Sequence, residues 1–165
     1  MTKLTGTFDG FEKIQDHPGV LARPPVIVAG FLFAGIVLDH LWQTPAIYEP
    51  VQYLGGVALL TAGGSLIAAA MNCFRKSGTP IETHRPTVQV VSDGPYAHTR
   101  NPIYVALLLI YAGIGVLINA PAVVALAPVL FAVLHYGVVL REEHYLECKF
   151  GDAYLAYRQA VPRWF

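Results

Sequence analysis

The sequence predicts an all-α integral membrane protein, with four transmembrane helices and a short C-terminal helix that lies on the cytoplasmic side or at the membrane interface. Residues 1–165 are expected to form a single membrane domain. Three observations carry that prediction. Apolar stretches recur at the length of a bilayer crossing, which takes about 20 apolar residues. Charged residues make up only 13% of the chain while 55% of it is hydrophobic, against about 25% charged in ordinary soluble domains. All 11 Lys and Arg residues fall into three groups separated by apolar runs, as expected when loops alternate between the two sides of a membrane.

The first span is expected over residues 24–42. Asp39 and His40 weaken its end, while Trp42 and Tyr48 suit the water interface, where an aromatic ring has one wet and one apolar side. The residues before it include Asp9, Glu12, Lys13, Asp16 and Arg23, too polar for a cleaved secretory leader, so this span is expected to be retained. The second span is expected over 53–74, where Asn72 is the one strongly polar residue. Gly56 and Gly63, seven residues apart, share a face, and Gly64 with Ala68 forms a small-xxx-small pair; both patterns point to close helix packing. From Ile103 to Leu140 no charged residue occurs. That run is about twice one crossing, and Asn119, Ala120 and Pro121 read as a tight turn dividing it into spans at 102–118 and 121–140. A buried soluble hairpin would keep a polar outer face, and these segments have none. Pro128 is expected to kink the fourth span. Gly113 and Gly115 sit inside the third and read as packing rather than as a nucleotide loop.

The basic groups set the orientation. Lys3, Lys13 and Arg23 precede the first span; Arg75, Lys76, Arg85 and Arg100 separate the second from the third; Arg141, Lys149, Arg158 and Arg163 follow the fourth. Both termini and the central loop are therefore expected on the cytoplasmic side, in keeping with a bacterial inner membrane. A formal net charge of zero gives no reason to expect a nucleic-acid partner. Cys73 and Cys148 are too few and too far apart for a disulfide framework or a metal-binding spacing. No metal site is expected.

Two clusters could carry chemistry. In "HTRNPIY", Asn101 is a favoured N-cap and Pro102 a favoured first-turn residue, so the third span is expected to begin there. A helix start presents free N–H groups and a positive dipole end, and Arg100 adds a full charge beside them. An anion is the expected guest, and a lipid phosphate on Arg100 is the plainer alternative. The second cluster, "REEHYLECKFGDAYLAYRQAVPRWF", follows the fourth span. If it continues the helix, Glu142 and Glu143 point about 100° apart, so that one can face the bundle and the other water. Gly151 breaks that helix, and Asp152 is expected to cap a last segment with Tyr154 and Tyr157 along one face.

The order of "SGTP", "GPYAHTRNPIY", an apolar hairpin, "EEHYL" and "FGDAYLAYRQAVPRWF" resembles the integral-membrane methyltransferases related to isoprenylcysteine carboxyl methyltransferase and phospholipid N-methyltransferase. The likeness covers about half the chain, from Ser77 onward. It implies S-adenosylmethionine as cofactor, enclosed near the cytoplasmic ends of the last two spans, and a lipid-like or lipidated acceptor arriving from the bilayer. By the same resemblance Arg100 and Glu142 take catalytic roles, and Tyr96, His98, Asn101, Pro102, Tyr104 and Glu143 contact the cofactor. His135 lines the pocket or serves as a hydrogen-bonded packing residue. An isoprenylcysteine-type carboxylate is the expected acceptor, with a phospholipid or small metabolite methylated on N or S as the alternative. Asn101 stands where carboxyl methyltransferases more often carry His, which bears on the acceptor rather than the cofactor. Two readings of another class are a non-catalytic scaffold and a haem bundle using His40 and His135. The charge-based topology places those two histidines near opposite faces of the membrane.

Overall fold

The computed structural model describes residues 22–42, 46–76 and 90–164. The expected "SGTP" segment, Arg85, Lys3 and Lys13 lie outside them. The described residues form an all-α bundle. Helix α1, Pro24–Trp42, opens on a proline pair suited to a first turn, where the missing N–H groups would have no partner in any case. Helix α2, Glu49–Lys76, exceeds its expected 53–74 at both ends. Glu49 at its start and Arg75 and Lys76 at its end each complement the helix dipole. A 3-10 turn, Gly94–Ala97, leads to α3, Pro102–Leu117.

After the turn at Ile118–Ala120 the chain stays helical for 30 residues, Pro121–Phe150. It passes through α4, Pro121–Ala125; α5, Ala127–Leu134; a wide π turn, His135–Val139; and α6, Leu140–Phe150. The break between α4 and α5 falls at Leu126, two residues before Pro128. Proline has no N–H for the carbonyl of Val124 and crowds the preceding turn, so the ladder loosens upstream of the ring itself. Gly151, at φ 51°, then separates α6 from α7, Asp152–Ala160. Asp152 is the first residue of α7 and makes no side-chain cap, so the expected capping role is not filled.

Among the described residues three helical stretches are long and apolar enough to cross a membrane: α1, α2 and the run Pro121–Phe150. Helix α3 is apolar but has only 16 residues, about 24 Å at 1.5 Å per residue, against a hydrocarbon core of about 30 Å. Large apolar side chains on α1 and α2 point outward, Phe33 at 70% and Leu54 at 75% exposure, where lipid is their natural solvent.

Helices α2 and α3 run antiparallel at backbone contact. A Cβ on Gly56 would lie 2.9 Å from that of Leu117, and one on Gly63 would lie 2.9 Å from the carbonyl oxygen of Ala106. Gly113 faces Leu59 and Leu60 in return, so the expected packing role of these glycines is met by direct apposition. Gly64 faces open space, and the expected contact through a Gly64–Ala68 pair is not made there. Gly35 of α1 and Gly115 of α3 both abut Val123, which brings α1 and α3 onto α4. The core between them holds Tyr104, Tyr111, Val123, Leu130, Leu134 and Val138.

The turn that joins α3 to α4 is held by Asn119, at φ 56°. Asparagine tolerates the left-handed region better than other residues with a side chain. Its side-chain oxygen also accepts from the backbone N–H of Ile47 at 2.7 Å. Gln52 donates to the carbonyl of Leu117 at 2.9 Å, and Asp39 accepts from the N–H of Ala122 at 3.2 Å. These contacts gather the ends of α1, α3 and the starts of α2 and α4 at one end of the bundle. Arg100, Glu142, Glu143 and Arg163 gather at the other.

Candidate functional site

The polar end is assembled by three segments that are distant in sequence: the 3-10 turn and the start of α3, helix α6, and the tail after α7. Gly94 makes the first possible, since it sits at φ 58° and a Cβ there would lie 2.9 Å from the sulfur of Cys73. The turn buries Tyr96 edge-on against Phe74 of α2, with ring centroids 5.3 Å apart. The hydroxyl of Tyr157 donates to the carbonyl of Tyr96 at 2.7 Å, fastening α7 over the turn.

The tail then runs beside residues 99–101. The backbone N–H of Arg100 donates to the carbonyl of Pro162 at 3.0 Å. The carbonyl of Arg163 accepts from the hydroxyl of Thr99 and from the amide of Asn101, both at 3.0 Å. Asn101 occupies the N-cap position of α3 but makes no side-chain cap, because its amide is engaged by the tail. This corrects the expected capping role. Pro102 is buried at the first helical position, as expected.

Glu143 is buried, and its two oxygens each accept from Arg163, at 2.9 Å from Nε and 2.9 Å from Nη2. Arg100 approaches one of the same oxygens through Nη2 at 3.3 Å. The side chain of Arg100 is only 7% exposed, and its Nε and Nη1 have no hydrogen-bond partner. The neighbouring Glu142 serves a different residue: the hydroxyl of Tyr104, buried in α3, donates to it at 2.7 Å. The paired glutamates thus divide their work, Glu143 toward the guanidinium groups and Glu142 toward the tyrosine.

Tyr154 of α7 is buried beside the cluster. Burial, with Glu143 adding to it and Arg100 opposing it, pushes the Tyr154 hydroxyl up to about 12. Burial also raises Tyr157, and hydrogen bonding to Glu143 raises Arg163 above its already high value. These groups keep their ordinary protonation across the physiological range. Tyr154 and Tyr157 do share a face, with ring centroids 6.2 Å apart.

Of the residues expected at the site, Arg100, Asn101, Pro102, Tyr104, Glu142 and Glu143 converge here, and Tyr96 stands at its edge. His98 is exposed and contributes only a backbone bond to Pro95. His135 accepts from the indole of Trp164 at 3.3 Å and stacks on Phe131, the arrangement of a packing histidine. His40 follows the residue that binds Ala122, at the opposite end. His135 lies 13 positions further along the helix than Ala122, roughly 20 Å at the α-helical rise, so the haem pairing has no geometric support. Arg163, Trp164, Thr99 and Tyr154 were not expected at the site. The available signal was the "PRW" that closes the last helix, a cation and an indole set directly after a proline.

As candidate chemistry, unpaired buried donors on Arg100 fit a carboxylate. Glu142 and Glu143 supply acidic acceptors on the same helix. Among the described residues no group of three or more His, Cys, Asp or Glu side chains is placed to hold a metal ion.

The bundle and its charged end define an α-helical integral membrane protein with a polar site at one end of its helices. The chain belongs to the phospholipid methyltransferase family, whose pattern matches residues 51–153, from the start of α2 through Glu142 and Glu143 but short of Arg163. It is also similar to the cobalt-zinc-cadmium resistance protein CzcN of Cupriavidus metallidurans, 30% identical over 141 residues that cover 84% of this chain and 58% of that protein. The nickel-cobalt-cadmium resistance protein NccN of Alcaligenes xylosoxydans xylosoxydans is 27% identical over 142 residues, 85% of this chain and 61% of that protein. The chain therefore spans about three fifths of the length of these two relatives. No solved structure matches it.

Proposed function

We propose that the protein transfers a methyl group from S-adenosylmethionine to a lipophilic acceptor carried in the membrane. The observation that carries this reading is the Tyr104–Glu142 hydrogen bond beside the Arg100–Glu143–Arg163 cluster. It joins the start of α3 to α6 at the same end of the bundle, within the region that matches the family. The family match favours a phospholipid or small-metabolite acceptor over the isoprenylcysteine carboxylate expected from the sequence. When bound, S-adenosylmethionine supplies a methyl group on a positively charged sulfur. Arg100 orients its carboxylate, while Tyr104 holds Glu142 in place. An amine acceptor would lose its proton to Glu142, and the chain would contribute the positioning and exclusion of water under which a nitrogen–methyl bond could form as the sulfur–methyl bond breaks, with S-adenosylhomocysteine as the leaving group.

The same reading treats the chain as one membrane domain over 1–165 with α3 as a fourth, short span, tilted or locally thinning the bilayer. On this reading the site and both termini face the cytoplasm across a bacterial inner membrane, a topology supported by Arg75, Lys76, Arg100, Arg141 and Arg158 on the segments of the site end. The test is transfer of labelled methyl from S-adenosylmethionine by the protein reconstituted in vesicles, with phospholipid headgroup amines and a prenylcysteine offered separately. Label in the phospholipid fraction that is lost in Glu142→Gln supports the proposal. Label in neither fraction, with no label in the bulk lipid extract, sinks it.

A further inference from the structure

We propose that Arg163 is a positioning residue for an oxyanion site centred on Arg100: the C-terminal tail carries a second guanidinium that saturates Glu143, leaving Arg100 with donors for the cofactor carboxylate. The inference rests on the methyltransferase reading for the identity of that oxyanion. Its starting point is charge. Two arginines, each always a cation, share the single carboxylate of Glu143. The cluster therefore holds one positive charge in surplus, around a guanidinium that is 7% exposed and has two donors without partners. Buried donors without partners and buried surplus charge are both unfavourable. An incoming carboxylate relieves both at once, and the adjoining start of the 16-residue α3 adds its positive dipole end.

Arg163 does not contact the ligand in this arrangement. Its Nε and Nη2 are both engaged, fork to fork, with the two oxygens of Glu143. Arg100 is thereby left with a single contact to Glu143, at 3.3 Å through Nη2, beside the Tyr154 hydroxyl. Without Arg163, the freed oxygen of Glu143 competes for a second donor of Arg100, and the two arginine donors that face the ligand are reduced to one. The tail fixes residue 163 from both sides: Pro162 accepts from Arg100, the carbonyl of Arg163 accepts from Thr99 and Asn101, and Trp164 donates to His135.

The experiment titrates S-adenosylhomocysteine and its decarboxylated counterpart into the full-length protein in detergent, wild type beside Arg163→Ala and Arg163→Lys. The wild type is expected to prefer the carboxylate-bearing ligand by about tenfold or more, the scale of a charge-assisted pair. Arg163→Ala should lower that ratio to about threefold or less while leaving affinity for the decarboxylated ligand within about twofold. Arg163→Lys, with the charge but without the fork, should fall between them. An unchanged ratio in either variant overturns the inference, and so does an equal loss of both ligands, which is what a merely structural tail produces. The methyltransferase reading survives those outcomes. If Arg163→Ala does not fold, the ratio in Arg163→Lys decides. Failure of the folded wild type to bind either ligand removes the methyltransferase reading and this inference with it.

Discussion

The two ends of the bundle solve the same problem in opposite ways. At the end built by Ile47, Gln52, Leu117 and Asn119, side-chain amides meet backbone groups one to one, and the contacts close a tight turn. At the other end, two guanidiniums meet one carboxylate and two of the Arg100 donors are left over. The first arrangement is self-sufficient and needs no ligand. The second keeps buried donors without partners, and it is on this imbalance, rather than on the mere presence of charge, that the proposed anion site rests.

Substitutions can break or sharpen that contrast. Glu143→Ala should have the largest effect, about 3–5 kcal/mol of lost stability, because two cations are left without their counter-ion; denaturant unfolding in detergent measures it, and a loss below about 1 kcal/mol would mean the cluster is not buried as described. Asn119→Ala, at the opposite end, removes the acceptor of the Ile47 N–H and should cost about 1–3 kcal/mol. Its cofactor affinity should stay at the wild-type value, so a parallel loss of binding would couple the two ends and undo the comparison. Tyr104→Phe removes only the hydrogen bond to Glu142 and should cost about 0.5–1.5 kcal/mol of stability, with methyl transfer lowered by about tenfold through misplacement of the carboxylate. Arg158→Ala breaks an ion pair with Glu147 whose side chains are 43% and 39% exposed, and should change stability by less than about 1 kcal/mol and transfer not at all.

Much of this was legible in the sequence because it depends on local rules. Apolar length gave α1 and the long run after Pro121, and the asparagine beside Pro121 gave the turn, since each signal is contained in its own segment. The convergence of Arg100, Tyr104, Glu142 and Glu143 was legible through the resemblance rather than through spacing. The partition of the two glutamates and the arrival of Arg163 were not, because both are settled by contacts between residues at least 20 positions apart. Asn101 shows the same limit from the other side. Its local preference is for capping, and a tertiary partner in the tail overrides it.

The wide turn at His135–Val139 also explains how two adjacent, identical side chains acquire different tasks. Such a turn absorbs one extra residue, so everything downstream lags by about 100° relative to an unbroken α-helix. Were the run from Leu134 regular, Glu142 would arrive near the direction that Glu143 now takes, and the arginines would meet the other carboxylate. The bulge is thus a phase setting for α6: straightened with every residue kept, it would turn the helix like a dial by one notch, bringing Glu142 to the arginines and Arg141 to the tyrosine, whereas deleting one residue from it would remove the bulge and leave both partners in place.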